Sequence, residues 1–225
     1  MSDLKIIIAN KRYSSWSLRG WLAIEHTGLP YKEILLPLDT PVFYEEIVKY
    51  NPAMKVPTLL DGSIAVWDSA AIIDYCTRLA PNKFWWPTDK EAYAYARSIF
   101  NEMHSGFNTI RSHMPMNLQG QWQNLSLNKT LETEVRRIET IWSECRKKYG
   151  STGAFLFGDF SAVDMMFAPV TARFATYGIQ VNETANAYIK SVRQHPSVAA
   201  WYAAAIQETE VVPADQLDLN ITHLG

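Results

Sequence analysis

The sequence predicts an α/β domain built on a mixed four-stranded sheet, followed by an all-helical domain. Three observations carry this. Through residues 1–81, strand and helix patterns alternate as βαβ, a short helix, then ββα. From residue 89 to 225 the periodic segments are all helical. Between them, residues 82–88, N-K-F-W-W-P-T, show no helical period and read as an interdomain linker. At 225 residues the chain has room for two small domains.

The first strand is the short apolar run Ile6-Ile7-Ile8-Ala9. A polar turn, Asn10-Lys11-Arg12, leads to Ser14-Ser15 and a helix with apolar residues at Leu18, Trp21, Leu22 and Ala23. Gly28 supplies its left-handed cap and Pro30 its stop. Tyr31 to Leu36 reads as a second strand, and Pro37 to Tyr50 as a turn plus a short amphipathic helix. Thr58-Leu59-Leu60 and Ile64-Ala65-Val66-Trp67 are two further strands, joined by the hairpin signal Asp61-Gly62. Asp68 or Ser69 caps a helix running to about Leu79. The crossover makes the first strand pair parallel, and the hairpin makes the last pair antiparallel. Pro57 holds Val56 extended, and the bond between them is compatible with either isomer.

In the second half, Tyr93, Ala96, Phe100, Met103, Phe107, Ile110 and Met114 follow one helical seam, and Leu131, Val135, Ile138, Trp142, Cys145 and Tyr149 another. Two long helices joined by Pro115 to Asn128 are expected to form an antiparallel pair. Beside the first seam, Arg97, His104, Asn108 and Arg111 would share one face, either solvated or the wall of a pocket. Ser161-x-x-Asp164 is a capping box, with Phe160 and Met165 as its staple. Pro169 predicts a kink in the helix that follows. Helices over Glu183–Gln194 and Val198–Glu208 complete the bundle, and the tail from Val211 has little pattern.

The bulk numbers exclude several classes. Hydrophobic content is 48%, charged content 20% and net charge −2, so nothing points to nucleic acid or an anionic membrane. No apolar run approaches the ~20 residues of a membrane span, and because Met1-Ser2-Asp3 leads straight into a strand, no signal peptide is expected. Cys76 and Cys145 fall in helical patterns as buried thiols, which suits a reducing cytosol. The glycosylation sequons at Asn124, Asn128, Asn182 and Asn220 then read as chance matches. Histidines 26, 104, 113, 195 and 223 lack metal-ligand spacing, and no Gly-rich phosphate loop, C-x-x-C, H-E-x-x-H or G-x-S-x-G is present.

What remains is the start of the first helix. Its first turn carries three hydroxyls, Ser14, Ser15 and Ser17, and no acid, and the nearest charges are Arg12 and Arg19. A helix start has unpaired N–H groups and partial positive charge, so this mouth is open to an anion. The simpler reading is that Ser14 or Ser15 caps the helix.

Together these pieces resemble a cytosolic glutathione transferase. The N-terminal order looks like that superfamily's thioredoxin-like domain, Val56-Pro57-Thr58-Leu59 like its cis-proline motif, Asp68-Ser69 like its acidic-Ser pair, and F-S-A-V-D like its C-domain capping box. Ser14-Ser15-Trp16-Ser17-Leu18-Arg19 is similar to the S-S-C-S-W-R opening of the zeta class, as is N-P-A-M-K-V-P-T-L to its Val-Pro stretch. Trp16 departs from the zeta cysteine, and Ala175 stands where the zeta isomerase has an arginine, the nearest here being Arg173. The resemblance therefore implies a bacterial serine-type transferase nearest to zeta. It implies glutathione as cosubstrate, no metal, a small hydrophobic electrophile, a role in detoxification, a cytoplasmic location and a homodimer. Ser14 would donate to the thiolate, with Ser15 the neighbouring candidate and Tyr13 a weaker rival. Val56 would pair with the cysteinyl amide on an edge shaped by Pro57. Ser69, with Asp68 beside it, would hold the γ-glutamyl carboxylate, and Lys55 the glycyl one. Trp16, His104, Phe107, Asn108 and Arg111 would face the second substrate. The alternatives are a non-catalytic binder of glutathione or hydrophobic ligands, a zeta-like cis–trans isomerase, and a peroxide reductase. A disulfide reductase is disfavoured by the lack of cysteine in Tyr13–Ser17.

Overall fold

The computed structural model describes residues 3–122 and 125–216; Met1, Ser2, Asn124, Asn220 and His223 lie outside the described residues. Strand β1 (Leu4–Ala9) pairs in parallel with β2 (Lys32–Leu36) and antiparallel with β3 (Thr58–Asp61), which pairs antiparallel with β4 (Ile64–Trp67). The order is β2-β1-β3-β4. Period-two alternation divides β1 between two layers. Ile6 and Ile8 pack with Leu59 against α1 (Ser15–Thr27) and α3 (Ser69–Leu79), while Ile7 and Ala9 join Leu36 under α2 (Pro41–Ile47). Gly62 takes φ 57 in the hairpin, and Gly28 caps α1 at φ 71. The Val56-Pro57 bond is cis. Gly20 of α1 lets the Pro57 ring approach, since a Cβ there would lie 2.7 Å from Pro57 Cγ.

The helical half comprises α4 (Lys90–Ser105), α5 (Asn108–His113), α6 (Lys129–Tyr149), α7 (Ala162–Thr176), α8 (Glu183–Gln194) and α9 (Pro196–Ile206), then a 3₁₀ turn over Pro213–Asp215. Helix α7 is the hub: every residue except Ala175 is buried, and it continues through Pro169. Asp164 closes the capping box, accepting Ser161 N–H at 2.9 Å and the Ser161 hydroxyl at 2.8 Å. It also accepts Leu156 N–H at 3.2 Å and Tyr188 O–H at 3.0 Å. Trp142 sits among Phe167, Phe174 and Tyr188, with centroids 5.1–5.9 Å away. No helix among the described residues is long and apolar enough to cross a membrane.

Two expectations are corrected. The single helix from Tyr93 to Met114 is broken: α4 ends at Ser105, Gly106 is extended, and Phe107 takes φ 59. The break is held by side chains from elsewhere. Arg111 folds back onto the carbonyls of Met103 and Gly106, and Glu134 of α6 accepts Thr109 N–H at 3.2 Å and Ile110 N–H at 2.8 Å. The apolar seam survives because Phe107, Ile110 and Met114 still reach the core, but the polar stripe is not one face. His104 belongs to α4, Asn108 and Arg111 to α5. Helix α9 starts at Pro196, a residue suited to the first turn, and ends at Ile206, so that Glu208 leaves the helix to bind the turn before α1.

Candidate anion site at the mouth of the first helix

The turn between β1 and α1 is fixed from three sides. Tyr13 and Ser14 N–H donate to Asn10 C=O at 3.1 and 2.9 Å, and Asn10 Oδ1 accepts Leu38 N–H at 2.7 Å. Glu208 accepts Lys11 and Arg12 N–H at 2.7 and 2.9 Å. Ser14 is the N-cap of α1, its Oγ accepting Ser17 N–H at 3.3 Å and lying 2.7 Å from Ser17 Oγ. Ala9 N–H donates to Ser17 Oγ at 3.1 Å. Ser15 Oγ instead accepts from Nη2 of Arg173 at 3.2 Å. The first turn contains no acid.

This mouth forms the floor of a cavity of about 340 Å³, within the usual range of ligand pockets. Tyr13, Ser14, Ser15 and Trp16 line it from below. Phe43 and Tyr44 of α2, Leu38, Asp39, and the Met54-Lys55-Val56 stretch form one side; Arg111, Pro115, Met116, Arg173 and Asp215 form the other. The Val56 backbone makes no hydrogen bond among the described residues, which leaves an extended edge for a ligand.

The site is rich in buried positive charge. Trp16 lies between two guanidinium groups, with Arg19 Cζ 4.6 Å and Arg111 Cζ 4.5 Å from its ring. Arg19 is fully buried, donates Nε–H to Met166 C=O at 2.8 Å, and leaves both terminal nitrogens without hydrogen-bond partners among the described residues. Arg173 donates Nε–H to Met114 C=O at 2.7 Å and leaves Nη1 unpaired. Burial, then repulsion from Arg111, lowers Arg173 to about 10; burial likewise lowers Arg19, with Arg111 and Arg173 adding to it. None of the three forms a salt bridge among the described residues. Burial, then the neighbouring Asp39, pushes Asp215 up to about 6, against the pull of Arg173. Burying cations without carboxylate partners is costly, and sites that do so are suited to an incoming anion.

The structure brings Ser14, Ser15, Trp16, Lys55, Val56 and Arg111 to this cavity, and Pro57 packs behind Val56 against Gly20. Asp68 and Ser69 stand at the start of α3. Asp68, at φ 75, accepts Ala70 and Ala71 N–H at 2.8 and 3.3 Å, and its other oxygen lies 3.2 Å from His104 Nε2. Burial pushes the Asp68 carboxyl up, but His104 and the two N–H groups outweigh it and the net shift is downward. The Ser69 hydroxyl is buried without a hydrogen-bond partner among the described residues. His104 meets Trp16 edge-on at 5.5 Å and does not line the cavity. Phe107 is in the core, and Asn108 is exposed away from the cavity. Arg173, Asp39 and Asp215 are additions. A lone arginine within an apolar helix, as at Arg173, was the available signal; Asp39 and Asp215 carried none. Among the described residues no group of three or more metal-type ligands occurs. A larger depression of about 750 Å³ on the outer face of α4 and α6, lined by Glu91, Tyr95, Glu144 and Lys148, does not touch the α1 mouth.

Two family models match the chain: "Glutathione S-transferase, N-terminal domain" over residues 13–79 and "Glutathione S-transferase, C-terminal domain" over residues 94–204. A chloroplastic glutathione S-transferase L2 of Arabidopsis thaliana is 27% identical over 199 residues, 87% of this chain, and the chain spans 60% of that relative's length. Maleylacetoacetate isomerase of Rattus norvegicus is 24% identical over 173 residues, 75% of this chain and 76% of its own. Among solved structures, a Burkholderia glutathione transferase homologue with bound glutathione superposes with a TM-score of 0.68 at 19% identity, covering 92% of this chain and 100% of that one. Glutathione transferase omega 2S of Trametes versicolor gives 0.71 at 14% identity, covering 96% and 100%. At these identities the solved structures speak for the fold.

Proposed function

Since the chain belongs to the glutathione S-transferase family, we propose that it binds glutathione and activates its thiol at the α1 mouth for attack on a small hydrophobic electrophile. The observation that carries this is the cavity itself, where serine hydroxyls and an acid-free helix N-terminus lie beside arginines that form no salt bridge among the described residues. The unpaired Val56 edge would bond the cysteinyl amide in strand-like fashion. Lys55 would reach the glycyl carboxylate. Ser69, with an unpartnered hydroxyl at a second helix start, would hold the γ-glutamyl carboxylate beside Asp68. The electrophile would meet Trp16 and Arg111, with His104 supporting Trp16 from its edge. Sulfur's electron pair forms the new C–S bond, and the leaving group departs with its own pair.

Magnitudes limit what the hydroxyl contributes. A thiol of pKa ~8.5 is about 3% ionised at pH 7. One charge-assisted hydrogen bond of ~1.5–3 kcal/mol lowers that pKa by about one to two units. Two units give roughly three-quarters thiolate, about a 25-fold gain. The weaker basicity costs about eightfold in nucleophilicity at a Brønsted slope of ~0.45, leaving a net gain of about threefold. Holding the thiolate against the electrophile must supply the rest.

A second reading, glutathione-dependent cis–trans isomerisation, draws on the maleylacetoacetate isomerase among the similar proteins and on Arg173 lining the cavity. A homodimer would cover Ile64 and Trp67 on the edge strand β4 and Tyr93 on α4, which are 40–50% exposed; sedimentation at micromolar concentration tests it. The function is tested by calorimetric titration with glutathione followed by turnover of an activated chloroarene. Binding with turnover supports the transferase, and binding without turnover of any electrophile supports a carrier.

A further inference from the structure

Two serines stand at the α1 mouth, and their hydroxyls differ in what they are bonded to. Ser14 Oγ lies 2.7 Å from Ser17 Oγ, which offers an acceptor for its proton, and it accepts Ser17 N–H at 3.3 Å. Ser17 Oγ is itself held by Ala9 N–H at 3.1 Å, so the Ser14 hydroxyl belongs to a chain tying β1 to the first turn of α1. Ser15 Oγ has one contact, 3.2 Å to Nη2 of Arg173. A guanidinium can only donate. That bond therefore occupies a lone pair and leaves the Ser15 proton with no acceptor among the described residues. Ser15 is 6% exposed and lines the cavity. A buried donor lacking an acceptor is uncommon in a folded protein, and this one opens onto the space where an anion would bind.

Arg173 is built to stay where it is. It is 4% exposed, sits on α7, and anchors Nε–H on Met114 C=O at 2.7 Å. We propose that Ser15 is the hydroxyl that donates to the glutathione sulfur, and that Arg173 is the positioning residue that fixes Ser15 in that orientation. This rests on the glutathione-transferase reading above. The thiol proton leaves to solvent, the electron pair stays on sulfur, and Ser15 keeps its own proton as donor. Donation from Arg173 into the Ser15 oxygen polarises that O–H, as hydrogen bonds in chains do. Ser14 then serves as the helix cap. The other charged or titratable groups on the cavity are Tyr13, Asp39, Tyr44, Lys55, Arg111 and Asp215.

The test is an ultraviolet difference titration of glutathione bound to the full chain, in wild type and in Ser14→Ala, Ser15→Ala, Ser15→Thr and Arg173→Lys. Ser15→Ala should raise the pKa of the bound thiol by about one unit, the size of one charge-assisted hydrogen bond, with glutathione affinity changed less than about threefold. Ser15→Thr should restore most of that shift. Arg173→Lys should move the thiol pKa in the same direction as Ser15→Ala, by a smaller amount. Ser14→Ala should lower the melting temperature through the lost cap while moving the thiol pKa by less than half as much. A larger thiol shift in Ser14→Ala than in Ser15→Ala, with a normal wild-type thiolate, overturns this proposal and leaves the transferase reading standing. A wild-type shift that survives both alanine variants also overturns it, assigning the thiolate to the helix N–H groups. No shift in wild-type protein that binds glutathione overturns both.

Discussion

Arg19→Met is the substitution that most sharply separates a cation kept for the fold from one kept for a ligand. Arg19 is fully buried, with one hydrogen bond to Met166 C=O and a guanidinium 4.6 Å from the Trp16 ring. The bond is worth about 1.5–3 kcal/mol and the desolvated cation–π contact about 2 kcal/mol. Against these stand several kcal/mol for removing the charge from water, and about 1–3 kcal/mol for each of two unpartnered nitrogens. Repulsion from Arg111 and Arg173 adds to the cost. The opposing sums at least balance. Methionine keeps the apolar stem, so the variant should lie between about 1 kcal/mol less and 2 kcal/mol more stable than wild type. A typical large-to-small core truncation instead loses about 2–5 kcal/mol. Glutathione affinity should fall several-fold, because a unit positive charge packed on Trp16 at the cavity floor is lost. Urea melts read the stability at constant m-value, and calorimetry reads the affinity. A loss above about 3 kcal/mol, or unchanged affinity, would refute the reasoning that this charge serves an anion.

Three further outcomes are expected. Asp164→Ala strands four donors, from Leu156, Ser161 twice and Tyr188, and should cost about 3–5 kcal/mol in urea unfolding; Tyr188→Phe, removing one donor, should cost about 1 kcal/mol. Burial, then the proximity of His26, holds His195 at about 4 where its ring stacks on Phe160 at 3.8 Å. The unfolded state therefore takes that proton first. The stability contributed is full above about pH 6.5 and is lost as pH falls through about 4; after discounting for partial exposure it is about 1–2 kcal/mol. Between pH 7.5 and 5 wild type should lose more stability than His195→Gln, and parallel losses would count against it. Gly20→Ala would place a Cβ 2.7 and 2.9 Å from Pro57 ring carbons. It should lose about 1–2 kcal/mol net of helix propensity and weaken glutathione binding through the displaced Val56 edge, read by the same melts and titrations.

The sequence made the N-terminal architecture legible because its signals are local. Gly28 stops α1, Asp61-Gly62 turns β3 into β4, and Asp68 caps α3, each within a few residues of the feature it specifies. The capping box at Ser161 and Asp164 was equally plain. The break at Gly106 and Phe107 was hidden because the apolar period passes through it in phase, and because the groups that hold it come from Arg111 and Glu134. The same limit applies to the site. Ser14, Ser15 and Val56 could be read from one turn and one X-Pro step. The contact between Ser15 and Arg173 joins residues 158 apart, and Asp215 reaches the cavity only because the chain after α9 returns past Glu208 to the α1 turn. A single arginine inside the apolar stripe of α1, and another inside α7, were the traces of that convergence visible beforehand.

Whether the α1 mouth takes an anionic sulfur is read by titrating glutathione bound to the wild-type protein and following its thiolate absorbance against pH. Saturable binding and a thiolate band developed at least one unit below the ~8.5 of a free thiol are expected. Glutathione that binds but ionises at its solution pKa, or does not bind, would contradict that expectation.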